Sequence, residues 1–335
     1  MIVIKNKFSI LISILIVLNI TGCSVSRNIH ASERKEDSLS KEVVEEEKST
    51  HIPDTKEIIY TLCSDDFGGR LVGSEGNKKA ENYIIGILKD LKLESLFAGE
   101  YYELYTQEVY KKYGLINDND KPETKEIHNL VGIIKGMDST KALVISAHFD
   151  HIGYQDGKII RGALDNASGV ATLVRITDNL KKRSQNKTFS QDVIIAFFNG
   201  EEEAQQGSKA FVKEVKDKYS SLYDINIDCV GGKNAGKISL NNSSNLSSKL
   251  TEAMKVTFKS NGMDFSEVKL KNDTSDQKSF EKKGIPNIYI GQDNLQPCIH
   301  NPSDNPDTLD YNQIDKVADV LSDFIQINDG KTFEK

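Results

Sequence analysis

Histidines and carboxylates stand at five separated points of this chain, and taken together they read as a metal site. His148 and Asp150 lie two apart in Ser146-Ala147-His148-Phe149-Asp150-His151. On an extended chain such residues share a face. A metal-bound imidazole usually gives its other N–H to a carboxylate or carbonyl, which fixes its tautomer, and Asp150 is placed for that task. Alone, the pair reads equally well as a polar strand end. Asp165 sits in Gly162-Ala163-Leu164-Asp165-Asn166-Ala167-Ser168-Gly169, where capping a helix is the simpler role. Asn199-Gly200-Glu201-Glu202-Glu203 follows directly on the apolar run from Val193 to Phe198. A triple Glu is ordinarily a solvated helix start. At the end of a buried strand, adjacent carboxylates can divide the work, one binding metal and its neighbour handling a proton. Asp228 follows the run Leu222 to Ile227, and His300 stands in Cys298-Ile299-His300-Asn301-Pro302. Each is ordinary by itself. As a set, two His and three carboxylates suit zinc and not a soft metal. Two zinc ions need a bridging carboxylate with terminal ligands on either side.

Such residues meet only if the elements that bear them converge. Apolar positions Ala80, Tyr83, Ile84, Ile87, Leu88 and Leu91 follow helical spacing, behind a turn from Gly73 to Asn77. His128 to Ile134 and Ala142 to Ala147 are apolar runs of strand length, separated by Gly136 to Thr140. Val170 to Leu180 and Gly207 to Val215 predict helices. Val193 to Phe198 predicts a strand buried on both faces. Leu222 to Ile227 and Ile285 to Gly291 predict further strands, with a helix around Leu246 to Phe258 between them. Ile314, Val317, Val320, Leu321 and Phe324 mark a final amphipathic helix. Strands alternating with helices imply an α/β class: a three-layer sandwich with a mostly parallel central sheet flanked by helices. Sites of such sheets gather at the carboxyl ends of the strands, where the candidate residues fall.

Composition narrows the function further. The chain has 335 residues, 38% hydrophobic and 28% charged, with a net charge of −7. That suits one large or two small globular domains. Lys and Arg are dispersed among acids, so no nucleic-acid partner is expected. No G-x-S-x-G supports a serine nucleophile, and no Gly-rich loop cradles phosphate. Lys5 and Lys7 precede an apolar run from Phe8 to Ile20, the length of a signal-peptide core. It ends in Ile20-Thr21-Gly22-Cys23, which resembles the bacterial lipobox. Residues 1–22 are therefore expected to be a lipoprotein signal peptide, with Cys23 lipidated and holding the protein on the outer side of the bacterial cell membrane. Residues 23–56, rich in Ser, Glu and Lys, read as a flexible tether, and 57–335 as the catalytic domain. Cys63, Cys229 and Cys298 are too few and too scattered for a disulfide framework, and no C-x-x-C is present. A pairing of Cys229 with Cys298 stays open, since each lies within two residues of a candidate ligand.

The chain resembles the co-catalytic zinc aminopeptidases of the bacterial leucyl aminopeptidase and aminopeptidase Y type, from about Thr61 to its end. The similarity rests on Asp66-Phe67-Gly68-Gly69-Arg70, on Gly73-Ser74-Glu75-Gly76-Asn77, and on the ligand motifs in their order. The resemblance implies the zinc-peptidase fold and two zinc ions per chain. It implies that His148 and Asp228 bind one zinc, Glu202 and His300 the other, and that Asp165 bridges them through a backbone whose next peptide bond is cis. Asp150 is then the partner of His148. Glu201 is the general base toward a water between the zincs that attacks the first peptide bond of a substrate with a free N-terminus. The offset to Gly207-Ser208 sets this register and leaves Glu203 outside. Ser275-Asp276-Gln277 departs from the family's Ser-Asp-His, which touches substrate contacts, not metals. A monomer is expected. Two other readings stay open: a glutaminyl cyclase-like acyltransferase with one zinc, and a non-catalytic binding lipoprotein.

Overall fold

The computed structural model describes residues 51–114, 121–241, 244–266, 274–295 and 297–334. The signal peptide, Cys23 and most of the tether lie outside the described residues. In chain order the elements are α1 (Thr55–Leu62), α2 (Glu75–Asp90), β1 (Glu94–Ser95), β2 (Tyr102–Val109), β3 (Glu123–Ile134), β4 (Asp138–His148), β5 (Tyr154–Gln155) and β6 (Lys158–Ile159). An irregular turn, Ala163–Ala167, leads into α3 (Ser168–Ser184). Then come β7 (Gln191–Phe198), α4 (Gln206–Val215), β8 (Ser221–Ile227), β9 (Ile238–Asn241), α5 (Ser248–Ser260), β10 (Phe265–Ser266), α6 (Gln277–Glu281), β11 (Asn287–Gln292) and α7 (Tyr311–Ile327).

Among the described residues nine strands form one sheet in the order β1-β3-β7-β4-β8-β11-β9-β10, with β2 also paired to β3. The four central strands β7, β4, β8 and β11 run parallel. The flanks turn antiparallel, where β3 meets β7 and β9 meets β11. Alternation along the buried strands feeds two cores. Val193, Ile195 and Phe197 face the layer of α1, α2, α3, α5 and α7. Ile194, Ala196 and Phe198 face α4 and α6. Each Val, Ile or Phe among them contributes roughly 1.5–3 kcal/mol on burial.

Local chemistry sets the boundaries. Asp54 caps α1 by accepting the Glu57 N–H at 2.8 Å, so the first helix begins inside the stretch read as tether. Ser74 accepts the Asn77 N–H at 3.2 Å and starts α2 within the expected turn. Cys63, Cys229 and Cys298 are free thiols. The Cys229–Cys298 disulfide is thus not formed: Cys229 is buried in the core behind β8, and Cys298 is half-buried in the loop before His300.

One buried cation ties the layers together. Arg70 has no exposed surface, and its guanidinium donates to four carbonyl oxygens: Phe149 and Leu62 at 2.8 Å, Arg161 at 2.8 Å and Gly162 at 2.9 Å. It joins the end of α1 to the loop after β4 and to the turn that carries Asp165. A planar fork with five donors fits this cradle, and an ammonium does not. Arg70→Lys and Arg70→Met should both lower stability by more than about 3 kcal/mol, since buried carbonyls lose charge-assisted partners. Urea denaturation checks this, and a loss under about 1 kcal/mol would show that water or Lys fills the cradle.

Candidate metal centre and active site

The parallel strands all end on one side, and the residues singled out in the sequence meet there. His148 is the last residue of β4, Glu201 and Glu202 follow β7, Asp228 follows β8, and His300 lies in the loop after β11. Two clusters result: His148, Asp165 and Asp228 form one, and Asp165, Glu202, His300 and His151 the other. Asp165 belongs to both. Its Oδ1 is 3.3 Å from His148 Nε2, and its Oδ2 is 3.0 Å from His300 Nε2. Asp228 Oδ1 is 3.3 Å from His148 Nε2, and Glu202 Oε2 is 3.0 Å from His300 Nε2. The Asp165–Asn166 peptide is cis.

These separations test whether metal fits. A tetrahedral shell with bonds of about 2.0–2.1 Å sets its ligand atoms about 3.3 Å apart. Both clusters have edges of that size, made of imidazole nitrogen and carboxylate oxygen. Among the described residues no Lys or Arg pairs with Asp165, Glu202 or Asp228; their ion pairs are with imidazoles. Buried carboxylates without a cation are costly. The donor set therefore fits divalent metal, and Asp165 belongs to both groups of donors.

The field of the site is visible in its proton affinities. Burial opposes charge on His148, but the carboxylates of Asp228, Asp150 and Asp165 outweigh it and hold its pKa well above the usual imidazole range. His300 behaves likewise: against burial, Asp165 and Glu202 push it up to about 11. Asp165 is held well below the usual carboxylate range, because His148 and His300 overcome its burial. Glu201 goes the other way: burial, with Asp276, Glu202 and Asp228 nearby, raises it well above the usual range against the pull of His148.

Neighbouring elements aim these groups. The Asp150 carboxylate accepts the backbone N–H of Glu201 at 3.1 Å and of Glu202 at 3.3 Å. Its tie to His148 is looser: Nδ1 is 3.6 Å from the carboxylate and 3.2 Å from the Asp150 carbonyl. Asp150 thus clamps the two glutamates more closely than the imidazole. Glu203 turns away, its Oε2 accepting from Gln107 Nε2 at 3.0 Å. Gly207 sits where a Cβ would lie 2.2 Å from Asn129 Oδ1, so only Gly lets α4 close onto the glutamate turn. Gln277 is buried and accepts from Asn226 Nδ2 at 3.3 Å.

Two positions given no role in the sequence reading belong here. Asp304 is buried and accepts the N–H of Leu164 at 2.6 Å and of Asp165 at 3.2 Å, so it fixes the backbone from which Asp165 projects. Its only sequence mark is a place four residues after His300. His151, next to Asp150, is the other. Above the clusters opens a cleft of about 400 Å³ lined by Tyr113, Gln205, Thr274, Tyr289, Leu295 and Ile299.

Comparison with known proteins agrees with this geometry. No curated protein sequence matches the chain. Among solved structures, a zinc aminopeptidase from Bacillus subtilis superposes with a TM-score of 0.65 at 15% identity, covering 84% of this chain and 97% of the other. An aminopeptidase from Aneurinibacillus sp. strain AM-1 gives 0.65 at 16%, covering 86% and 97%. A glutaminyl cyclase from Porphyromonas gingivalis gives 0.61 at 19%, covering 82% and 97%. At such identities the likeness speaks for the fold alone. The family match is of another kind: it runs over residues 129–325, more than half of the chain and every ligand candidate from His148 to His300, and by it the chain belongs to peptidase family M28.

Proposed function

We propose that this peptidase is an aminopeptidase that uses two zinc ions, held by His148, Asp165 and Asp228 on one side and by Asp165, Glu202 and His300 on the other. The observation that supports this most is Asp165, which turns one carboxylate oxygen to each cluster. Bound there, the ions would polarise the scissile carbonyl and lower the pKa of the attacking water from about 15.7 toward 7. Glu201 takes the proton from that water and returns it to the leaving amine. Its burial among carboxylates gives it the raised proton affinity a general base needs. Asp150 keeps Glu201 and Glu202 in register through their backbone N–H groups. The free amine of a peptide faces carboxylates, with no Lys or Arg among the described residues lining the cleft. We further propose that lipidated Cys23 keeps the enzyme on the outer face of the membrane, a reading supported by the lipobox and the polar stretch after it.

A glutaminyl cyclase shares this fold, and the two are separated by products. An aminopeptidase releases a free amino acid, and a cyclase releases ammonia. A panel of dipeptides and aminoacyl-anilides should be hydrolysed, and N-acetylation of the same substrates should abolish turnover. Ammonia release from N-terminal glutamine without hydrolysis would overturn the reading.

Metal content gives the second test. Chelation should abolish hydrolysis and zinc should restore it. Elemental analysis at saturation should give two ions per chain, about one for Asp228→Asn, and loss of both for Asp165→Ala. A single ion in the unaltered chain would sink the dinuclear claim.

The glutamates give the third. Glu201→Gln keeps its size but cannot take a proton, so turnover should fall about 10²–10⁴-fold with both metals retained. Glu202→Gln should lower occupancy at one position and recover partly in excess zinc. Glu203→Gln should be close to neutral. Metal content and turnover of the three variants check this, and near-normal turnover of Glu201→Gln would exclude it as base.

A further inference from the structure

His151 is fully buried, and the reaction as described gives it no task. Its Nδ1 stands 2.7 Å from Oε1 of Glu202, while Oε2 of the same carboxylate faces His300 at 3.0 Å. Glu202 therefore turns one oxygen into the cluster and the other to His151. The imidazole has little freedom. Its backbone N–H donates to the Arg70 carbonyl at 3.2 Å. The ring packs edge-on to His300 at 5.5 Å between centroids, and a Cβ on Gly162 would fall 2.5 Å from its Cδ2. Nε2 is buried without a hydrogen-bond partner.

We infer that His151 is a positioning residue for Glu202: Nδ1–H donates to Oε1 and leaves Oε2 as a one-oxygen ligand at the metal position made with Asp165 and His300. The inference rests on the dinuclear reading above. Ligand atoms on one tetrahedral ion stand about 3.3 Å apart. The 2.7 Å contact is instead the length of a charge-assisted N–H···O hydrogen bond, for which about 2.7–2.9 Å is typical. A carboxylate tied at one oxygen can neither swing away from the ion nor swap oxygens. Groups that hold a ligand in this way are worth about 10–100-fold in metal affinity.

The test is a titration of the metal-stripped full chain with zinc and with cobalt, reading two affinities by calorimetry and the visible cobalt spectrum. His151→Phe keeps the ring volume and removes the donor. His151→Asn presents an amide N–H close to where Nδ1–H stood. His151→Phe should weaken only one of the two sites, by about 10–100-fold, with the other unchanged. His151→Asn should recover most of the loss, with the cobalt spectrum of the unaltered chain. Equal affinities in His151→Phe overturn the inference, as does a parallel loss at both sites, the mark of a merely structural role. A shifted cobalt spectrum in His151→Asn makes His151 a ligand and also overturns it. An unaltered chain that saturates with one ion overturns the dinuclear reading first, and this inference with it; two ions in the unaltered chain with unchanged variants remove this inference alone.

Discussion

Uncompensated negative charge at the end of a buried sheet is the constraint on which the rest of the molecule depends. Asp150, Asp165, Glu201 and Asp228 are all buried, and the Glu202 side chain is only 4% exposed. Water cannot solvate them well, and no Lys or Arg among the described residues pairs with them. Only imidazoles oppose the charge. Carboxylates so placed repel one another and raise one another's proton affinity, so the backbone must hold each member in place. Two consequences follow. The strands beneath must be tightly packed, as β4, β7 and β8 are, with their few polar side chains, such as Ser146 and Asp224, bonded to one another. The loops between them must be fastened by groups that do not compete for the carboxylates.

That fastening explains the polar residues that sit in the core without touching the reaction. Arg70 spends its whole guanidinium on carbonyl oxygens, so its charge stabilises loop ends and leaves the carboxylates free. Asn199, the first residue after β7, exchanges amide hydrogen bonds with Asn77 at 3.0 Å and takes a backbone bond to Asn129 Oδ1 at 3.0 Å. Asn129 in turn donates to Glu103 at 2.7 Å. A line of neutral amides thus runs from α2 past the end of β7 to β3, where it meets Glu103 of β2, and sets the height of the Asn199–Glu202 turn. Neutral donors suit the task, since a cation here would neutralise the carboxylates it is meant to aim.

Most of the central sheet was legible because burial on both faces leaves long apolar runs, as at Val193 to Phe198. So were the five ligand candidates, each lying directly after or near such a run. Strand β2 was not legible, for a physical reason. Its inward positions include Glu103 and Gln107, while Leu104 is 55% exposed, which inverts the usual alternation. Glu103 is tolerated because Asn129 donates to it, although burial lifts its pKa to about 7. Asp304 and His151 were missed differently. Their importance lies in contacts across 139 and 51 positions of sequence, which no local pattern records. The parallel reading held for the four central strands. The antiparallel flanks come from β3, β9 and their neighbours, whose short or mixed patterns do not reveal direction.

Glu201 and Glu202 show why function here belongs to environment and not to residue type. They are adjacent, identical in chemistry and clamped by one carboxylate. Yet burial beside Asp276 and Asp228 raises the proton affinity of Glu201, whereas for Glu202 the imidazoles of His151 and His300 overcome both burial and Asp165 and lower it. One is thereby suited to carry a proton and the other to stay ionised toward a metal. Environments that push two neighbouring carboxyls apart can let one backbone turn supply both an acid–base group and a ligand, the division proposed above for Glu201 and Glu202. The separation depends on which side of the turn each side chain leaves, and that is set by Gly200 at φ +71° just before them and by the Asp150 clamp beneath. A residue with a Cβ at position 200 would meet Gln107 Oε1 at 2.5 Å. Its left-handed φ would be strained as well, and the turn that distinguishes the two glutamates would be disturbed.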